Sequence, residues 1–224
     1  MKLDLHVVNP EKPSIGTIIW MHGIGSNYRN FDALVEEFWC EEGLPLRFIF
    51  PNAPLRLVTV NHHLPTRAWY DLYSLTDLDQ EDKTGINTSE SAIAQIIQNE
   101  ITQGVCAKNI VLAGFSQGGA IALYTGLRQA QSIAGILALS CYLPLHQEHQ
   151  EKAHPTNLHT PIFMAHGTQD PICPYIAGKK SYDIISQTHA NSQWREYEIG
   201  HEISPIEIAD ARRWLRQVFV NSTI

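Results

Sequence analysis

Apolar residues along this chain come in blocks, and the blocks alternate between two periods. Residues 3–8 alternate apolar with polar, as a half-buried strand does. Residues 17–21 are a continuous apolar run, the pattern of a strand covered on both faces. In residues 31–42, Phe31, Leu34, Val35 and Phe38 fall at helical spacing, and Gly43 supplies a C-terminal stop. Residues 47–50 read as a strand ended by Pro51-Asn52-Ala53-Pro54. Residues 55–85 hold no sustained period although they contain Trp69, Tyr70 and Tyr73; irregular stretches of that length inside a compact domain are often functional. Asn87-Thr88-Ser89-Glu90 is apt to cap a helix running to Thr102 through Ile93, Ile96, Ile97 and Ile101. Beyond it the pattern predicts strands at 109–113, 133–139, 162–165 and 192–198, with helices from Ala120 to about Ala130, at 174–188 and at 205–220. Such strand–helix alternation implies an α/β fold, a mainly parallel sheet with helices on both faces, in one domain over residues 1–224.

Composition narrows the function classes. The chain has 224 residues, 23 acidic against 16 basic, with no basic run, which argues against a nucleic-acid partner. No apolar segment approaches the roughly 20 residues of a transmembrane helix. The N-terminus reads as a strand rather than a secretory signal. Cys40, Cys106, Cys141 and Cys173 are widely spaced and form no C-x-x-C pair, so they are expected to be reduced residues in or near the core of a cytoplasmic protein.

The chemistry centres on Gly114-Phe115-Ser116-Gln117-Gly118-Gly119, between an apolar strand and an apolar helix. That is the context of a G-x-S-x-G nucleophile elbow, whose sharp turn needs very small residues two before and two after the serine. Asp170, in His166-Gly167-Thr168-Gln169-Asp170-Pro171, and His201, in Gly200-His201-Glu202, each follow a predicted strand end. Reactive groups gather at the C-terminal ends of parallel strands, and the order serine, acid, histidine is that of α/β-hydrolases. In this reading His201 takes the proton of Ser116, and Asp170 fixes the imidazole tautomer. The N–H groups of Gln117 and of Ile24, in His22-Gly23-Ile24-Gly25, are the expected oxyanion donors. Taken singly, each motif has a plainer reading: Asp170-Pro171 as a turn initiator, His201 as a loop histidine, the glycines as tight turns. The segment with His146, Glu148, His149 and Glu151 and the pair His62-His63 lack ordered ligand spacing and read as solvated loops. Gly23–Gly25 lacks the third glycine and acid of a dinucleotide site, so neither metal nor cofactor is expected.

Together these residues resemble the acyl-protein thioesterase/carboxylesterase family, the phospholipase–carboxylesterase group of α/β-hydrolases. The likeness runs nearly end to end through Met21-His22-Gly23-Ile24-Gly25, Phe50-Pro51-Asn52-Ala53-Pro54, Trp69-Tyr70-Asp71, the Ser116 segment, Leu139-Ser140-Cys141-Tyr142-Leu143-Pro144, His166-Gly167 with Asp170-Pro171, and Gly200-His201-Glu202. The resemblance implies a cofactor-free serine hydrolase of carboxylic esters or thioesters, with a small-molecule or acylated-protein substrate. By position it implies Ser116, Asp170 and His201 as the triad, Ile24 and Gln117 as oxyanion donors, and Leu64 and Trp69 as substrate contacts. The chain departs from the family pattern at Ser26, over Asn61-His62-His63-Leu64-Pro65-Thr66 and at Cys141, which leaves acyl-chain length and acceptor open. The alternatives that the sequence leaves are a short-chain carboxylesterase, a lysophospholipase, or a ligand-binding protein on a hydrolase scaffold. A monomer or weak homodimer is expected.

Overall fold

The computed structural model describes residues 2–30, 32–39, 44–75, 77 and 80–221. In its first half the chain forms β1 (Asp4–Val8), β2 (Gly16–Met21), α1 (Asp32–Trp39), β3 (Leu46–Asn52), β4 (Leu55–Val58), β5 (Leu64–Arg67) and α2 (Lys83–Thr102). The second half gives β6 (Ile110–Phe115), α3 (Gln117–Gly126), β7 (Gly135–Leu139), the short α4 (His149–Lys152), β8 (Ile162–Gly167), α5 (Tyr175–Ser186), β9 (Ser192–Tyr197) and α6 (Pro205–Asn221). Seven strands make one sheet in the order β1-β3-β2-β6-β7-β8-β9, and β4 pairs with β5 apart from it. Only the edge strand β1 runs antiparallel to its neighbour in the large sheet.

The unbroken apolar run of β2 follows from this position. Successive side chains point to opposite faces, and both faces are covered. Ile18 and Trp20 pack with Val35 and Phe38 of α1 and with Trp214, Leu215 and Phe219 of α6. Ile19 and Met21 pack on the other side with Ile93 and Ile97 of α2 and Ile121 and Leu123 of α3. Each such fully buried aliphatic side chain contributes roughly 1.5–3 kcal/mol. The expected stop at Gly43, Phe31 and Cys40 lie outside the described residues.

The structure departs from the sequence reading over residues 55–85. That stretch begins with the β4–β5 hairpin, whose Leu55, Leu57 and Leu64 are exposed, so no buried stripe marks it in the sequence. Helix α2 then begins at Lys83, not at Asn87. Its N-cap is Asp82, whose carboxylate accepts from the Gly85 N–H at 2.8 Å and from the Asp71 N–H at 2.9 Å. A cap of this kind is worth about 1 kcal/mol, enough to offset a glycine in the first turn. Helix α3 ends at Gly126, short of Ala130. Cys106 is exposed, whereas Cys141 and Cys173 are buried, and all three are free thiols. No described helix is long and apolar enough to cross a membrane.

His149 is buried rather than in a solvated loop, its ring 5.6 Å from that of the buried His189. Burial, then the neighbouring His189 and Arg128, lowers its pKa to about 4. A depressed folded-state pKa means stability present above pH 6.5 that drains away as pH falls towards 4. Urea titrations of wild type should show unfolding free energy declining across that window, and His149→Phe should flatten the decline. An unchanged slope in the variant would rule this ring out as the source.

Candidate active site

The end of β6 is fixed by a turn that few residues tolerate. Ser116 sits at φ +56° and ψ −126°, between the last strand residue and the first of α3. A non-glycine residue there costs on the order of 1–3 kcal/mol and persists only where its surroundings hold it. The Ser116 N–H donates to Leu139 O at 2.8 Å, and its carbonyl accepts from Ala120 N at 3.0 Å. The turn also requires close backbone approach. A Cβ on Gly114 would lie 2.4 Å from the Gly118 carbonyl carbon, and one on Gly118 would lie 2.1 Å from Met21 O. The small residues demanded at both positions are therefore a steric necessity of this fold.

Three distant side chains meet above that turn. His201, four residues beyond β9, has Nε2 2.8 Å from Ser116 Oγ and Nδ1 2.6 Å from Asp170 Oδ2. An ionised carboxylate only accepts, so the imidazole donates through Nδ1, and its Nε2 lone pair receives the serine O–H. The Asp170 side chain is fully buried. Its Oδ1 accepts from the Ile172 and Cys173 N–H groups at 2.8 and 2.9 Å. His166, which the sequence reading left without a role, donates through Nε2 to Cys173 O at 2.9 Å, and this nitrogen stands 3.4 Å from Asp170 Oδ2. The acid is thus held by the turn after β8 from several sides. Phe115 backs the His201 ring at 4.7 Å.

The loop after β2 reaches the same place. Ile24 and Gln117 both line a narrow cleft of about 90 Å³ that opens at Ser116. His22 fixes the loop by its tautomer. Its Nε2 accepts from the Ala53 N–H at 3.0 Å, which leaves Nδ1 to donate to Gly23 O at 2.7 Å. Burial is the main cause of its lowered pKa, so the neutral ring that both bonds need is favoured.

Neither Trp69 nor Leu64 is among the residues that line the cleft. Trp69 is fully buried, and its indole N–H donates to His22 O at 2.8 Å. Its own backbone N–H donates to Gln117 Oε1 at 2.8 Å, while Gln117 Nε2 donates to Tyr70 O at 2.8 Å. Trp69 therefore ties the His22–Ile24 loop to Gln117, a bracing role that the sequence signals only as an aromatic residue in an irregular stretch. Leu64 stays 55% exposed in the β4–β5 hairpin, paired with Val58, and is not among the residues that line the cleft. Among the described residues, no group of three or more His, Cys, Asp or Glu could hold a metal ion. A larger cavity of about 600 Å³ opens at the opposite end of the sheet, between Lys108, His159 and Trp214. None of the serine–histidine–acid groups lies there.

A mainly parallel sheet with serine, carboxylate and histidine meeting at its strand ends, in that chain order, defines an α/β-hydrolase. The sequence profile of the Phospholipase/Carboxylesterase family matches residues 3–219. The chain is 34% identical over 226 residues to acyl-protein thioesterase 1 of Emericella nidulans, covering 95% of this chain and 94% of that one. It is 35% identical over 206 residues to acyl-protein thioesterase 1 of Yarrowia lipolytica, at 90% and 91% coverage. The crystal structure of Zea mays acyl-protein thioesterase 2 matches with a TM-score of 0.86 at 25% identity, over 96% of this chain and 99% of that one. The chain belongs to the phospholipase/carboxylesterase family. It is a hydrolase acting on ester or thioester bonds.

The tightest steric element, the contact of Gly118 with β2, gives a direct check. Gly118→Ala should lower the unfolding free energy by about 2–4 kcal/mol in denaturant titrations, because the Met21 carbonyl cannot move without disturbing the sheet. A loss under about 0.5 kcal/mol would contradict the close-approach account.

Proposed function

We propose that the chain hydrolyses acyl esters and thioesters through an acyl-enzyme on Ser116. The observation that carries this reading is the position of one imidazole between hydroxyl and carboxylate, at 2.8 and 2.6 Å. Ser116 Oγ attacks the acyl carbonyl as its proton passes to His201 Nε2. The buried Asp170 carboxylate stabilises the imidazolium that forms and holds the ring in its working tautomer. The Gln117 and Ile24 N–H groups receive the developing oxyanion, each donor being worth roughly 3–4 kcal/mol in the barrier. His201 returns the proton to the departing alcohol or thiol, then activates the water that releases the acid.

The relatives named acyl-protein thioesterase support acylated proteins as substrates. Free thiols at Cys106, Cys141 and Cys173 support a reducing, cytoplasmic setting.

A fluorophosphonate probe should label the wild-type protein at Ser116 and leave Ser116→Ala unlabelled. Labelling that survives in Ser116→Ala would overturn the assignment of the nucleophile.

A further inference from the structure

The cleft beside Ser116 is not a uniformly aliphatic chamber. Val60, Leu72, Leu75 and Ile172 supply apolar wall, but Tyr70 and Tyr142 face it as well. Their hydroxyl oxygens are 3.1 Å apart, with Tyr70 donating to Tyr142. Two phenols carry two protons, and the bond between them uses one. The Tyr142 proton has no further acceptor among the hydrogen bonds of the described residues.

Two buried thiols, Cys141 and Cys173, line the same cleft. These groups present neutral polar atoms near neutrality. Burial pushes the Cys173 thiol up to about 12 and the Cys141 thiol and both phenols upward. The Glu81 carboxylate, near both phenols, opposes any further negative charge there. A plain alkyl chain in this cleft would cover the Tyr142 hydroxyl without offering it an acceptor, and a desolvated donor left unpaired weakens binding. A neutral oxygen on the chain satisfies it.

We propose that the Tyr142 hydroxyl donates a hydrogen bond to an oxygen carried along the acyl chain, making oxo- or hydroxyacyl esters and thioesters the preferred substrates of this cleft. This rests on the Ser116 hydrolase reading above. Tyr142 is then a substrate-binding residue and takes no part in the proton transfers at Ser116.

The test uses p-nitrophenyl esters of one chain length, either saturated or with a single ketone walked along the chain from the fourth carbon outward. Wild type should show one ketone position at which kcat/KM exceeds that of the saturated ester by about tenfold. In Tyr142→Phe that maximum should vanish. Tyr70→Phe keeps the Tyr142 proton and should retain the maximum, so the idea stays testable if the first variant folds poorly. Equal rates for saturated and oxo esters at every position, or an undiminished maximum in Tyr142→Phe, would overturn the inference. Turnover of p-nitrophenyl acetate by wild type separates the two failures: acetate hydrolysis without a ketone preference rejects this inference alone, whereas no acetate turnover and no probe labelling reject the hydrolase reading with it.

Discussion

The backbone reversal at Ser116 is the constraint on which the site depends. A serine at φ +56° lifts its hydroxyl off the end of β6, and it stays there because α3 presses back against β2 through Gly118. The same contact sets the distance between the first residues of α3 and the loop after β2. The serine and the two N–H groups proposed to serve it are thus positioned by one piece of packing. The adjacency of β2 and β6 in the middle of the sheet makes that packing possible, and the double-sided apolar cover of both strands makes it rigid.

Around that turn the polar groups are held by bonds that leave them little freedom. Asp170 is buried as a carboxylate with two backbone N–H donors on one oxygen and the His201 ring on the other. Hydrogen bonds to a carboxylate from several fixed donors offset the cost of taking it out of water. On the other side, Trp69 and the Gln117 amide join the two loops through three bonds of 2.8 Å. A network satisfied at each of these groups is stiff, and stiffness is what transition-state stabilisation by fixed dipoles requires.

The sequence makes legible what repeats or what is sterically compulsory. Alternating apolar blocks reveal the parallel sheet, and Gly114 and Gly118 on either side of Ser116 reveal the turn, because a Cβ at either glycine would meet backbone. Asp170 and His201 could be singled out since each follows a strand end. Residues 55–85 resisted reading for a physical reason: Leu55, Leu57 and Leu64 of the hairpin face outward, so their hydrophobicity reports no core. The start of α2 was hidden because Gly85 looks like loop until Asp82 is seen to cap it. His149 looked solvated among polar neighbours, but only the side chain's own direction decides burial on so short a helix. Trp69 carries the clearest lesson. The family resemblance implies a substrate contact for it, while its indole N–H donates to the His22 carbonyl inside the core.

The central claim is that the Asp170–His201–Ser116 alignment acts as one unit, and the kcat of Asp170→Asn on a soluble ester tests it most directly. An amide at position 170 keeps the shape but favours the wrong imidazole tautomer, so kcat should fall by about 10³–10⁴-fold while KM changes little. A kcat within about tenfold of wild type, in a variant of unchanged fold, would contradict the account.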